Sequence, residues 1–358
     1  MKTERLLKVL GGMKAMNLKQ LLISSPYSIF YLTGKKVAPG ERMLALLVRE
    51  NGECLLFANR LFALTPVEGA ELVEYSDTDN CVDVLAARLS PGKLGVDKDW
   101  PCRFALPLME TRRDISVTLG SAAVDNARMC KTQEEIALMR ESSRLNDRVI
   151  ARAIDAVRAG ATEAGVADVY ASSALSMGAE GNSFPPLICF GPNCAEPHHD
   201  TDKTVLRPGD SVILDVGALL NGYCSDMTRT VFYGKPSDEA KRVYEIVCKA
   251  NQAGREAVRP GVPLREVDRA ARKVIEDAGY GAYFIHRTGH GIGLEVHEFP
   301  DVSAASEAVC QPGMTFSVEP GIYLPGAFGV RIEDLVAVTE DGCETLNEFN
   351  KEMRILPC

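Results

Sequence analysis

The sequence predicts a mixed α/β (α+β) chain of two domains, on three observations. Short apolar strand-like runs alternate with amphipathic helical stretches through the first third of the chain. Near residue 125 this pattern gives way to long charged helices followed by strands punctuated by Gly and Pro. The length, 358 residues, is enough for two ordinary domains. The boundary is therefore placed so that residues 1–125 form a mixed-sheet domain with covering helices and residues 126–358 form a second domain.

In order along the chain, Arg5 to Met16 has Leu6, Leu7, Leu10 and Met13 at helical spacing. Leu21-Leu22-Ile23 reads as a buried strand stopped by Ser24-Ser25-Pro26. Met43–Val48 and Cys54–Phe57 read as two strands joined at Asn51-Gly52, a hairpin turn signal. Val82–Leu89 looks helical, and Leu94–Val96 and Ile115–Leu119 look like strands. Thr132–Val157 is a long amphipathic helix opened by a capping box between Thr132 and Glu135, with Gly160 placed to close it. Thr162 and Glu163 open a further helix to about Met177. Asp238–Val258 and Leu264–Ala278 are two more, and strands lie between and after them.

Composition narrows the function classes. A net charge of −9 argues against a nucleic-acid or anionic-membrane partner. No apolar run approaches the roughly 18 residues of a membrane span, and Lys8 interrupts the N-terminal apolar stretch, so it does not read as a signal peptide. The eleven cysteines are scattered, contain no CxxC pair and are odd in number. Free thiols in that number fit a reducing, cytoplasmic setting.

Chemistry concentrates in the second domain. Ser211–Gly217 and Tyr223–Phe232 read as strands joined by Asn221-Gly222, the preferred pair for a two-residue type I′ turn. That register sets Asp215 opposite Thr228 and Gly217 opposite Asp226. Asp215 and Asp226 then project from one face as diagonal neighbours, roughly 7–8 Å apart, and Gly217 leaves space above the sheet. Two buried carboxylates repel unless a cation joins them; a solvated surface hairpin is the bland reading. All five histidines lie between residues 198 and 297. His290 sits among glycines in Thr288-Gly-His-Gly-Ile-Gly293, where glycine permits close backbone approach to a ligand. His297 follows in Glu295-Val-His-Glu298, and His198 and His199 follow Pro197. Glu319 ends a strand at Thr315–Val318. Alternation along a strand Gly329–Val336 puts Glu333 on one face with Arg331 and Leu335, and Asp334 on the other. Both faces are apolar, so alternation leaves open which acid serves a site, and a salt bridge to Arg331 is the bland reading for Glu319 and Glu333.

The set is Asp215, Asp226, His290, Glu319 and one acid of the Glu333-Asp334 pair. Four carboxylates balance two divalent ions rather than one. Oxygen-rich ligation favours Mn²⁺, with Co²⁺, Zn²⁺ and Fe²⁺ also compatible. A pair of such ions lowers the pKa of a shared water and clamps a tetrahedral intermediate, which is hydrolytic chemistry.

At these residues the chain resembles the pita-bread (creatinase/aminopeptidase P/prolidase) metallopeptidases, in their Xaa-Pro dipeptidase/aminopeptidase branch. The resemblance rests on DVGALLNGYCSDMTRT (215–230), TGHGIGLEVHEFP (288–300), VEPGIY (318–323) and GVRIEDLV (329–336), with a spacing of eleven positions from Asp215 to Asp226 and of seven from His290 to His297. It extends to residues 5–34, which look like the start of a creatinase-like N-terminal domain. The resemblance implies a pita-bread catalytic domain and selects Glu333 over Asp334. It implies Asp226 and Glu333 as ligands shared by two metals, Asp215 completing one site, and His290 and Glu319 completing the other. Glu319 would also handle the proton of the attacking water. His198 and His297 match the non-ligand active-site histidines, and Arg331 matches an arginine beside the site. His199 and His286 are expected to be supporting or surface residues. The resemblance further implies peptides with proline at the second position as substrates, and a homodimer. Two other readings share the fold: a creatinase-like amidinohydrolase that needs no metal, and a non-catalytic binding protein that has lost ligands. The intact acid set speaks against both.

Overall fold

The apolar runs of the first third assemble into one sheet. In the computed structural model, which describes residues 1–358, the chain divides into two units, Met1–Arg128 and Met129–Cys358. The first holds α1 (Thr3–Ala15), β1 (Gln20–Ile23), α2 (Pro26–Thr33), β2 (Ala45–Arg49), β3 (Cys54–Asn59), β4 (Glu71–Tyr75), α3 (Cys81–Ala86), β5 (Gly92–Val96), α4 (Cys102–Thr111) and β6 (Ile115–Leu119), followed by α5 (Ala122–Met129). The sheet order is β4-β3-β2-β1-β5-β6. The three central strands pair antiparallel, and β4, β5 and β6 add in parallel. Leu22, Leu47, Leu55, Phe57 and Leu94 pack beneath α3 and α4 through Leu85, Phe104 and Leu108. Ser24-Ser25-Pro26 stops β1 as expected, but it also starts α2. Ser25 accepts the N–H of Ser28 and Pro26 takes the first helical turn, where a missing N–H costs nothing.

The second unit begins with α6 (Gln133–Asp155) and α7 (Glu163–Ser176). The capping box at Thr132 forms in both directions. Gly160 does not close α6. The helix ends at Asp155 with Ala156 still in right-handed geometry, and Gly160, at φ +77°, belongs to the turn before Thr162. The strands β7 (Gly181–Asn182), β8 (Leu187–Phe190), β9 (Ser211–Val216), β10 (Ala218–Leu220), β11 (Tyr223–Cys224) and β12 (Met227–Tyr233) precede α8 (Asp238–Ala257) and α9 (Leu264–Asp277). After them come β13 (Gly289–Gly291), β14 (Glu298–Val302), β15 (Thr315–Val318), β16 (Gly321–Leu324), β17 (Phe328–Arg331), β18 (Asp334–Val338), β19 (Cys343–Thr345) and β20 (Arg354–Leu356). No helix is long and apolar enough to cross a membrane.

Each long helix buries one stripe against a strand pair. Val149, Ile150 and Ala153 of α6 pack with Tyr170 of α7 on Leu214, Val216 and Met227. Val243, Tyr244 and Val247 of α8 pack on Phe232, Ile322 and Val330, and Leu264 and Val267 of α9 pack on Phe316, Val318 and Val336. Burying apolar surface is favourable by about 25 cal/mol per Å², so these stripes favour the ordering of the strands beneath them.

The strand pairs break where they change sheet. Asn221 and Gly222 form the expected tight turn, with φ +52° and +80°, and the register places Leu220 opposite Tyr223 and Asp215 opposite Thr228. The second strand is not continuous, however. It stops at Ser225-Asp226 because β10 and β11 belong to one sheet with β7, whereas β9 and β12 belong to another with β8 and β20. The expected strand Gly329–Val336 divides likewise at Ile332-Glu333: β17 pairs only with β16, and β18 joins β15 in a five-stranded sheet. Glu319 lies in the corresponding gap between β15 and β16.

Candidate metal centre

Three of the four acids therefore sit at interruptions, where the backbone leaves one ladder and its carbonyls lose their partners. A buried carbonyl must be paired somewhere, and three buried asparagines do this. Asn146 of α6 donates to Val216 O, Asn251 of α8 donates to Val318 O, and Asn347 donates to Asp226 O (2.8, 2.8 and 3.1 Å). Asn347 Oδ1 also accepts the N–H of Leu335, so one side chain ties the Asp226 and Glu333 hairpins together. Sequence reading missed these residues. For Asn146 and Asn251 the signal was a polar residue on the apolar stripe of an amphipathic helix, as at Asn146 between Leu145 and Val149; Asn347 lies outside any helix and gave none.

Glycine serves these breaks differently from the expectation. Gly217 does not open space: a Cβ there would lie 2.2 Å from Ser225 O. The glycines beside His290 likewise admit neighbouring strands rather than a ligand, since a Cβ on Gly289 would lie 1.9 Å from Ser317 O. The register of β13 and β14 shifts between His290 and Gly291, and the amide of His290 donates to Ser317 Oγ.

The result is a cleft of about 780 Å³ lined by all eight residues singled out in the sequence: Asp215, Asp226, His290, Glu319, Glu333, His198, His297 and Arg331. Donor atoms of Asp226, His290 and Glu333 lie within 4.8 Å of one another. Glu319 joins them through His290, its Oε1 lying 3.5 Å from Nε2, while Asp226 Oδ2 is 3.7 Å from the same nitrogen. Asp215 faces the same cleft but is engaged by Arg331, whose Nη2 donates to Oδ2 at 2.6 Å. The bland reading placed Arg331 on Glu319 or Glu333; the ion pair goes to Asp215 instead.

The two adjacent acids that alternation left open part company here. Asp334 is fully buried and meets Arg229 at 2.8 Å, Lys351 at 3.0 Å and Arg255 at 3.4 Å. Burial works against its charge, but those three cations hold its pKa below the ordinary carboxylate value. Glu333 has no such company. Its Oε2 accepts only the Thr228 hydroxyl, and its Oε1 has no partner. Burial, then Asp226, Glu319 and Asp215, push its pKa well above the ordinary range. The strand break at Ile332-Glu333 is why alternation could not separate them.

The same imbalance runs through the cluster. Asp226 is raised well above normal by burial and by Asp215 and Glu319, and its Oδ1 also lacks a partner. Glu319 is raised to about 7, chiefly by burial. His290 is depressed to about 3 by burial and by His297, so the ring is neutral. With Nδ1 donating to Gly291 O at 3.1 Å, the Nε2 lone pair faces the Asp226 and Glu319 carboxylates. Acceptors facing acceptors, with two orphaned oxygens beside them, fit divalent cations, and a backbone carbonyl fixing the far ring nitrogen is the usual support for a metal-ligating histidine.

The remaining histidines divide by environment. His297 stacks edge-on against His290 with ring centroids 4.2 Å apart, and burial followed by Arg287 and His198 lowers its pKa. His198 lines the cleft from the loop after β8. His286 also lines it and is no surface residue. Its Nε2 lies 2.8 Å from the Tyr323 hydroxyl, which in turn accepts from Arg331 Nη1 at 3.0 Å. His199 also lines the cleft, with its Nε2 3.2 Å from Glu163 Oε2. Phe184, Pro185, Pro186, Leu187 and Val296 supply an apolar part of the wall.

Comparison with known proteins gives matches in both halves of the chain. Residues 137–340 match metallopeptidase family M24, and residues 5–130 match the creatinase/prolidase N-terminal domain. An uncharacterised peptidase of Staphylococcus haemolyticus is 36% identical over 340 residues, covering 92% of this chain and 94% of its own. The crystal structure of a prolidase from Thermococcus sibiricus superposes with a TM-score of 0.95 at 35% identity, covering 99% of each chain. A Xaa-Pro dipeptidase from Bacillus anthracis gives 0.91 at 32% identity, over 99% of this chain and 100% of that one. With matches over both halves, the chain belongs to metallopeptidase family M24 and carries the pita-bread fold of the prolidases.

Proposed function

We propose that the protein hydrolyses the Xaa-Pro bond of dipeptides or of peptide N-termini, with two divalent ions held by Asp215, Asp226, His290, Glu319 and Glu333. The observation that carries this reading is the neutral His290 Nε2 aimed at carboxylates whose neighbouring oxygens have no partner. A non-catalytic relative has no use for such an arrangement, and a metal-free amidinohydrolase does not need it. When bound, the ions lower the pKa of a water and offset charge developing on the attacked carbonyl. Glu319, beside His290, takes and returns the proton at its carboxylate. His198 and His297 donate N–H to the carbonyl oxygen of the scissile bond as it gains charge. Arg331 holds Asp215 in place and is itself braced by Tyr323. The apolar wall of Phe184, Pro186 and Val296 suits a proline ring, which brings no amide hydrogen and a fixed φ, and solved relatives are named prolidase and Xaa-Pro dipeptidase.

Mn²⁺ is the proposed metal, from the oxygen-rich donor set. The eleven free cysteines support a cytoplasmic location. A homodimer, with the N-terminal domain at residues 1–125 and catalysis in residues 126–358, completes the proposal. Exhaustive chelation should abolish hydrolysis of a Xaa-Pro dipeptide, and Mn²⁺ or Co²⁺ should restore it; activity that survives chelation refutes the metal mechanism. Comparing a Xaa-Pro dipeptide with a Xaa-Pro-Xaa tripeptide then separates dipeptidase from aminopeptidase.

A further inference from the structure

His198 stands on the loop between β8 and β9, where only a short 3₁₀ turn, Gly191–Ala195, gives regular structure. An exposed loop is a poor platform for a group that must meet a carbonyl oxygen. What holds it is Glu163, the first residue of α7, whose side chain is fully buried. Its Oε1 accepts the N–H of Phe190 at 2.7 Å and the Asn193 amide at 2.9 Å. Its Oε2 accepts the N–H of Asp202 at 3.1 Å and meets His199 Nε2 at 3.2 Å. One carboxylate thus grips both ends of the loop and the residue next to His198. The adjoining carbonyl of Pro197 accepts from Arg331 Nη1 at 3.2 Å, so the loop is also tied to the guanidinium that holds Asp215.

Glu163, His199 and Asp202 are close enough together to suggest a second metal site. The hydrogen bonds argue otherwise. Three of the four donors on Glu163 are N–H groups that can only donate, each oxygen already serves two of them, and a carboxylate offers about four acceptor positions. His199 must donate from Nε2, and nothing is left for a cation.

We infer that Glu163, acting through His199 and the loop ends, is the positioning residue for His198. This rests on the hydrolytic reading above. Glu163→Gln replaces an acceptor with an NH₂ group that opposes the donors of Asp202 and His199. A misplacement of about 1 Å in a group that meets the transition state costs up to about a hundredfold in rate. Glu163→Gln is therefore expected to lower kcat for a Xaa-Pro dipeptide by about ten- to a hundredfold, with KM and metal content little changed. His199→Gln, which keeps a donor, should recover most of what His199→Leu loses. The decisive measurement is a double-mutant cycle with His198→Ala. If Glu163 acts through His198, its substitution costs less than about twofold in that background; an equal loss in both backgrounds overturns the inference. Hydrogen exchange reads the clamp without substrate. The Phe190 and Asp202 amides should lose protection in Glu163→Gln, and unchanged protection overturns the clamp even should the unmodified chain prove inactive on Xaa-Pro substrates, a result that would refute the hydrolytic reading separately.

Discussion

Adjacent acids should respond to neutralisation with opposite signs. Asp334→Asn removes the one carboxylate that serves Arg229, Arg255 and Lys351. Stripping one partner from a buried ion pair costs about 3–5 kcal/mol. At about 2–4 °C per kcal/mol for a unit of this size, the melting temperature should fall by about 6–20 °C. Glu333→Gln does the reverse in metal-free protein. It removes a carboxyl that must take up a proton to be buried beside three neighbouring acids, and an amide oxygen can still accept the Thr228 hydroxyl. Its melting temperature without metal should be equal to or above that of the unmodified chain, and the stabilisation on adding Mn²⁺ should disappear. Thermal unfolding of both variants, with chelator and then with Mn²⁺ near pH 7, provides the assay. If Glu333→Gln is destabilised without metal as much as Asp334→Asn, the electrostatic picture of the cluster is wrong.

Asp226→Asn should lose both ions, because the proposal makes Asp226 a shared ligand; metal analysis finding two ions per chain would refute that role. Loading with metal should release protons near pH 7. Glu319 at about 7, together with Asp226 and Glu333, both raised well above the ordinary carboxylate value by burial and neighbouring acids, holds protons that cations must displace, so affinity rises as pH rises through 7. Calorimetry in buffers of different ionisation enthalpy measures this, and zero release contradicts it. Gly217→Ala should destabilise the chain by about 3 kcal/mol, because its Cβ meets the Ser225 carbonyl at 2.2 Å; chemical denaturation checks it.

Much of this site was legible in the residues because local rules govern it. The Asn221-Gly222 turn sets the register that aligns Asp215 with Thr228, and a turn's backbone angles depend on its own two residues. The helix starts at Thr132 and Thr162 follow from side chains three residues away from the amides they cap. The eight cleft residues were recognised through spacing and family likeness together.

What escaped the sequence depends on partners far along the chain. Strand alternation assumes one continuous ladder, and the ladders break at Asp226, Glu319 and Glu333 because their two sides belong to different sheets. The asparagines that donate to the freed carbonyls lie far along the chain, 70 residues for Asn146 and Val216, 67 for Asn251 and Val318, and 121 for Asn347 and Asp226. The separation of Glu333 from Asp334 needed Arg229, Arg255 and Lys351 to be placed around one acid and not the other. By itself the sequence determined the elements, the hairpin register and the inventory of acids and histidines, because hydrophobic period, caps and turns act over a few residues. Only the tertiary structure decided which acids go unpaired, since burial and neighbouring charge are properties of the packed chain.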